Sequence, residues 1–181
     1  MAEPSGQLKM IAPSLPPLER PYLDASVFMA HIKEEQTACR GTTRLDITTN
    51  LFKGAQDGKY KLHTSFLTLA EVRRLKPSNK ELTPDELVKA RGLFQRFLEH
   101  RWIEPIEVDR KIAEKAQQLG ADYSMSPTDA IHLASAILAP CNVLLVWDKG
   151  KFSDLFKDDP IEGVHVLEPY WEGIIPMAIP S

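Results

Sequence analysis

Residues 142–147 (NVLLVW) constrain the fold most strongly, because this segment is apolar on both of its faces. A strand with one face in solvent alternates polar and apolar side chains, whereas a strand covered by helices on both faces forms a continuous apolar run. The segment therefore predicts a central strand of a parallel sheet. Parallel strands need long crossover connections, which are usually helices, so helices are expected elsewhere in the chain.

Shorter apolar runs alternate along the chain with segments of helical periodicity. The other predicted strands are residues 22–24, 60–67, 103–108 and, at an edge of the sheet, 163–167. The predicted helices cover residues 26–35, 44–55, 69–75, 84–101, a segment around 112–119 that ends at Gly120, and 127–138. This alternation predicts an α/β fold with a single domain and a mainly parallel central sheet flanked by helices on both faces.

The length of 181 residues suits one domain with tails. Residues 1–20 are rich in proline and predict a flexible leader, residues 21–168 the folded domain, and residues 169–181 a C-terminal tail that docks through its apolar residues. The chain has neither the apolar region of a signal peptide nor a run of ~20 apolar residues, the length that spans a bilayer. We therefore expect a cytoplasmic protein without a membrane segment.

The net charge of -3 means that the field of the whole molecule does not attract nucleic acid. A bound polyanion would have to be held by a local basic patch or by metal ions. Cys39 and Cys141 lie in unrelated contexts and form no CxxC motif. They predict two reduced side chains and not a zinc site.

Acidic residues stand where the predicted strands end, at the edge of the sheet where such folds bind ligands: Asp24, Glu71, Asp129 and Asp148. Carboxylates that share a pocket need a cation, because their charges otherwise repel and force partial protonation. Hard oxygen ligands without His or Cys select Mg²⁺ or Mn²⁺, as one or two ions. Such ions activate water and stabilise the leaving oxygen of a phosphodiester.

A purely structural interpretation explains two of these acids equally well. Thr68-x-x-Glu71 and Ser126-x-x-Asp129 both match a capping box at the start of a helix. Thr83-x-x-Glu86 is the same pattern with no functional role attached. Asp24 and Asp148 instead follow apolar strands, where a cap is not the obvious need, and the combination of all four acids favours a metal site.

The segments PYLDASVF, HTSFLTLAEVRRL, SPTDAIHLASAIL and NVLLVWDKGKF, in this order, resemble the PIN-domain family. The resemblance extends from about Pro21 to Leu167. It implies an acidic triad that holds the metal, a fourth and more variable acid, and a supporting hydroxyl from Ser26; these acids match Asp24, Glu71, Asp129 and Asp148. It also implies Mg²⁺- or Mn²⁺-dependent endoribonuclease activity.

The sequence departs from the family pattern around the fourth acid. Val146 stands where members usually have Thr or Ser, and Lys151 where an aromatic or apolar residue is usual; Asp154 is an alternative to Asp148. Many bacterial members of this size resemble VapC toxins. This likeness implies an RNA substrate, a homodimer and a cognate antitoxin as the partner of a toxin-antitoxin pair.

Basic residues follow two of the acids. Arg73 and Arg74 come after Glu71, and Lys149 and Lys151 come after Asp148. They could bind RNA phosphates around the site, or simply form a solvated face, and the sequence leaves both interpretations open.

His132 follows Asp129 by three residues. We expect it to pack on or near the alanine-rich helix and not to bind metal, because no second His has ligand spacing.

Two other functions compete with the nuclease hypothesis. A non-catalytic PIN-like module that binds RNA or protein stays open because of the irregular Asp148 region. A phosphatase with an aspartyl nucleophile of the haloacid dehalogenase kind requires Asp two residues after Asp24, where Ser26 stands. We therefore set the phosphatase aside.

Overall fold

A five-stranded parallel sheet lies at the centre of the computed structural model, which describes residues 15–39, 41–71, 83–147 and 159–171. The strands, numbered along the chain, are β1 Pro21–Leu23, β2 Ala38–Cys39, β3 Thr42–Thr43, β4 Leu62–Ser65, β5 Ile103–Ile106, β6 Val143–Leu145 and β7 His165–Leu167. The central sheet has the order β5-β4-β1-β6-β7, while β2 and β3 form a separate antiparallel pair. The predicted parallel sheet and its edge strand at 163–167 are confirmed.

Helices connect the strands and cover both faces of the sheet. They are α1 Ala25–Ile32, α2 Arg44–Gln56, α3 Leu67–Glu71, α4 Pro84–Leu98, α5 Arg110–Tyr123 and α6 Pro127–Leu138. Val143 and Leu145 of β6 face a core shared with α1, α2 and α4, whereas Leu144 faces a core shared with α5 and α6. Residues 143–147 are apolar throughout because both of their faces are buried.

Helix α5 corrects one sequence prediction. It does not end at Gly120 but continues to Tyr123, and Ser124 follows in the left-handed conformation with φ of 54°. A glycine inside a helix costs only about 1 kcal/mol relative to alanine, and here α5 packs along α6, so that tertiary contacts compensate this cost. A β-carbon at Gly120 would lie 3.9 Å from that of Ala130, which shows how closely the two helices approach.

The described parts of the predicted leader and tail lie against the domain. Leu18 and Tyr170 are buried in the core, and the Tyr170 hydroxyl donates a 2.6 Å hydrogen bond to the carbonyl of Pro16. The boundaries at residues 20 and 168 stay predictions. Within the described ranges, no helix is both long and apolar enough to cross a membrane.

The strand order positions the acidic residues. Strand β1 lies between β4 and β6, with Tyr22 beside His63 and Leu23 beside Leu145. The carboxyl ends of these three neighbouring strands therefore meet at one edge of the sheet, and Asp24 follows β1 at that edge.

Candidate metal centre

Asp24 is fixed at the junction of β1 and α1. Its backbone N–H donates to the carbonyl of Leu145, and its Oδ2 accepts a 2.9 Å hydrogen bond from the N–H of Ser26. Asp24 is thus the N-cap of α1. The sequence indicated no obvious need for a cap after this strand, and for Asp24 that interpretation is wrong. Its second oxygen, Oδ1, lies 3.2 Å from Nε2 of His132. One carboxylate therefore serves both the helix and the site.

Glu71 reaches the same point from α3. Thr68 is the second residue of this helix and its hydroxyl is bonded to that of Thr64 at 2.9 Å, so Thr68 is not the N-cap. The capping-box interpretation of Glu71 is therefore wrong. Its Oε2 instead lies 2.6 Å from Nε2 of His132 on α6.

The His132 imidazole is the group that the two carboxylates share. Its side chain is 1% exposed, compared with 15% for Asp24 and 23% for Glu71. Nε2 faces oxygens that only accept hydrogen bonds, so this nitrogen carries a proton and donates it. On the other side of the ring, Nδ1 lies 2.8 Å from the hydroxyl of Tyr22.

The electrostatics of the cluster follow from this geometry. Burial alone lowers the pKa of His132, but the hydrogen bond to Glu71 and the charges of Asp24, Glu71 and Asp129 together raise that pKa above its ordinary value. The pKa of Tyr22 is raised, chiefly by burial, so its hydroxyl stays protonated. The neighbouring acids thus favour the protonated imidazole more than solvent does.

Asp129 occupies the third position of α6, as predicted. Its N–H donates to Oγ of Ser126, and that hydroxyl in turn donates a 2.6 Å hydrogen bond to the Asp129 carboxylate. Among the described residues, the group whose side chains could together hold a metal ion consists of Asp24, Glu71 and His132. Asp129 does not belong to this group. The charge of Asp129 nevertheless acts on His132.

Ser26 connects the site to the end of β6. Its Oγ accepts a 3.0 Å hydrogen bond from the N–H of Trp147, the residue before Asp148. The other predicted site residues lie outside the described residues: Arg73, Arg74, Asp148, Lys149, Lys151 and the alternative acid Asp154.

The two carboxylates of this group fit a divalent cation. One carboxylate oxygen each of Asp24 and Glu71 and a nitrogen of His132 all lie within 4.8 Å of one another. Carboxylate oxygens are ligands that Mg²⁺ and Mn²⁺ prefer. The contact of His132 with the carboxylates was not predicted from the sequence. The spacing of three residues between Asp129 and His132 was the available signal, because it places both side chains on the same face of one helix.

The fold and the position of the carboxylates agree with the family to which the sequence is similar. The sequence profile of the PIN domain matches residues 22–155. This chain belongs to the PIN-domain family. The matched range spans the positions of Asp24, Glu71, Asp129 and Asp148. A search of the curated proteins found no match.

Solved structures share the fold of this PIN domain. VapBC2 from Rickettsia felis, bound to a promoter DNA fragment, has 18% identity and a TM-score of 0.54, covering 83% of this chain and 98% of that chain. A toxin-antitoxin complex from Klebsiella pneumoniae has 17% identity and a TM-score of 0.52, with 80% and 94% covered. VapC20 of Mycobacterium tuberculosis, a toxin that cleaves the sarcin-ricin loop, has 17% identity and a TM-score of 0.53, with 75% and 94% covered. At such identities the likeness shows the fold.

Proposed function

We propose that this PIN domain is a metal-dependent endoribonuclease that hydrolyses phosphodiester bonds of RNA. The observation that carries the proposal is the meeting of Asp24 and Glu71, which come from separate elements, within 4.8 Å of each other at the carboxyl edge of the sheet. Both carboxylates are partly exposed, so a substrate can approach them. A capping role explains Asp24 alone and leaves the position of Glu71 unexplained.

The proposed cofactor is Mg²⁺ or Mn²⁺, held by Asp24 and Glu71 with Asp129 nearby. When bound, the ion neutralises the acids, activates water and stabilises the leaving oxygen. Asp148 or Asp154 would supply a fourth carboxylate, which a second ion requires.

The protein groups prepare the site before substrate binds. The N–H of Ser26 fixes one oxygen of Asp24 and leaves the other directed at the cluster. Ser26 also holds the backbone of Trp147, the residue that precedes Asp148 in the sequence. Preorganised carboxylates lose little freedom when they bind a cation.

Basic residues around the acids would bind the RNA backbone. Since the net charge is -3, attraction of a polyanion requires local positive charge. Arg73, Arg74, Lys149 and Lys151 flank two of the acids in sequence, and we assign them to contacts with RNA phosphates.

We further propose that the enzyme is the toxin of a toxin-antitoxin pair. The support is the fold shared with solved toxin-antitoxin complexes. On this proposal the protein forms a homodimer in the cytoplasm, and a cognate antitoxin partner silences its ribonuclease activity.

The decisive experiment is cleavage of a mixed RNA pool with Mn²⁺ or Mg²⁺, compared with EDTA and with the variants Asp24→Asn and Asp129→Asn. We expect cleavage by the wild type and its loss in all three comparisons, because each removes a part of the metal site and not of the core. Two matched controls should cut normally. Asp109→Asn alters the N-cap of α5, and Glu86→Gln alters the third position of α4, and neither residue belongs to the group of Asp24, Glu71 and His132.

A titration with Mn²⁺ on the same samples separates the alternatives. Cleavage that survives EDTA or Asp24→Asn would contradict the metal mechanism. A wild type that neither binds Mn²⁺ nor cuts RNA would overturn the proposal and favour the non-catalytic module that binds RNA or protein.

A further inference from the structure

A chain of hydrogen bonds runs from the core to the acidic cluster. It passes from the hydroxyl of Tyr22 to Nδ1 of His132, and from Nε2 of His132 to the carboxylate of Glu71. Tyr22 and His132 are 0% and 1% exposed. A buried polar chain of this kind must be hydrogen-bonded along its length, because an unpaired member would cost the free energy of its desolvation.

We infer that His132 is a positioning residue of the metal centre, which orients Glu71 and Asp24 through its Nε2–H and is itself held by Tyr22. The inference rests on the proposed function. On this inference His132 hydrogen-bonds to the carboxylates that bind the metal and does not bind the metal itself.

Both ring nitrogens of His132 already have partners within the protein. Nε2 lies 2.6 Å from Oε2 of Glu71 and 3.2 Å from Oδ1 of Asp24. Both partners are carboxylate oxygens, which are natural acceptors for an imidazole N–H. Nδ1 is bonded to the hydroxyl of Tyr22, so the ring is held on both sides and is placed to orient the carboxylates.

The exposed fractions of the three side chains support an arrangement with the carboxylates outside and the imidazole inside. Glu71 and Asp24 are 23% and 15% exposed, whereas His132 is 1% exposed. A cation that arrives from solvent therefore meets the carboxylates first. The imidazole lies on their inner side, where it can restrain them.

Tyr22 fixes the imidazole from the opposite side. Its ring meets that of His132 edge to face, with centroids 5.8 Å apart and an angle of 68° between the planes. A phenol both donates and accepts hydrogen bonds, so this contact persists whether or not Nδ1 carries a proton. Because Tyr22 belongs to the central strand β1, the orientation of Glu71 is tied to the sheet itself.

Glu71 is the residue most in need of this restraint. It is the last described residue of α3 and has a long side chain with several rotatable bonds. Asp24, in contrast, is already held by the N–H of Ser26. We therefore expect loss of the His132 donor to act on metal affinity chiefly through Glu71.

The test compares two amides at position 132 by measuring the dissociation constant of Mn²⁺ with calorimetry. The amide nitrogen of His132→Gln can occupy the position of Nε2, whereas that of His132→Asn falls short of Glu71. We expect His132→Asn to bind Mn²⁺ about 10- to 100-fold more weakly, as for other partners of metal ligands, and His132→Gln to recover most of the affinity. Tyr22→Phe should also weaken binding, and the matched variant Tyr60→Phe should not, because the Tyr60 hydroxyl donates to the carbonyl of Leu51 away from the site.

Pulsed electron paramagnetic resonance of bound Mn²⁺ gives a second readout. We expect no directly bonded nitrogen in the wild type. A directly bonded nitrogen, or equal Mn²⁺ affinity in wild type and His132→Asn, would overturn the inference while leaving the nuclease proposal intact. Failure of the wild type itself to bind Mn²⁺ would instead overturn the proposed function. Should His132→Asn not fold, Tyr22→Phe carries the test, and unchanged affinity in that variant would contradict the inference.

Discussion

Asp24 combines two roles that single residues usually perform separately. One oxygen caps α1 through Ser26, and the other faces the proton of His132. The two roles are compatible because the N-terminus of a helix favours a negative charge. A substitution can nevertheless separate them, since asparagine caps a helix as well as aspartate does.

We predict that Asp24→Ala is about 1 kcal/mol less stable than Asp24→Asn, because alanine cannot accept the hydrogen bond from Ser26. Both variants should lose Mn²⁺ binding and RNA cleavage, because both remove the charge. Urea unfolding and a Mn²⁺ titration measure the two effects. The pair Asp109→Ala and Asp109→Asn should show the same stability difference with normal Mn²⁺ binding, since Asp109 caps α5 elsewhere. Equal stability of the two Asp24 variants would show that the cap contributes nothing.

At the level of the elements, α4 and α2 each contain a glycine, and the surroundings of the two glycines differ. In α4, a β-carbon on Gly92 would meet no atom within 4 Å. In α2, a β-carbon on Gly54 would overlap the hydroxyl of Tyr60 and lie 2.8 Å from its Cζ. That hydroxyl is held by the carbonyl of Leu51 at 2.9 Å, so the ring cannot move without losing a hydrogen bond.

The same substitution should therefore have opposite effects in the two helices. We predict that Gly92→Ala stabilises the protein by about 0.5–1 kcal/mol, the difference in helix propensity. Gly54→Ala should destabilise it by about 1–3 kcal/mol because of overpacking against Tyr60. Chemical unfolding of both variants tests the pair, and stabilisation by Gly54→Ala would show that α2 can shift away from Tyr60.

At the level of the whole molecule, the parallel sheet buries titratable groups as well as apolar ones. His63 of β4 is 3% exposed and lies between Arg20 and Glu104. Its pKa is lowered, first by burial and then by the charge of Arg20, which outweigh the opposite effect of Glu104. The folded protein therefore keeps this side chain neutral at pH values where the unfolded chain binds a proton.

The sign of the resulting pH dependence follows from proton linkage. The unfolded chain takes up a proton at His63 near pH 6.5, so the stability due to neutral His63 is complete above that pH and is lost as the pH falls toward the lower folded pKa. We predict that the free energy of unfolding falls less between pH 7.5 and 5.5 for His63→Gln than for wild type. Urea unfolding at the two pH values measures the difference. Equal losses would show that His63 is not kept neutral in the folded state.

Short-range sequence patterns predicted the helices and strands and indicated the acidic residues near their ends. Residues 142–147 predicted a strand buried on both faces, Ser126 and Pro127 marked the start of α6, and the order of the acidic motifs resembled the PIN-domain family, which the profile match confirms. These features depend on contacts within a few residues, namely side-chain periodicity and the capping of free N–H groups. Local sequence therefore contains most of that information, although tertiary contacts moved the end of α5 from Gly120 to Tyr123.

Tertiary structure decided which side chains meet. The sequence left Glu71 as a metal ligand or a helix cap and predicted packing for His132, yet the two form a 2.6 Å hydrogen bond across 61 positions of the chain. Their meeting depends on β1 lying between β4 and β6 and on how α3 and α6 are turned toward that edge. Strand order and helix rotation result from packing of the whole core, which no local spacing encodes. For that reason the sequence indicates candidate acids, whereas the contact between His132 and two of them appears only in the folded chain.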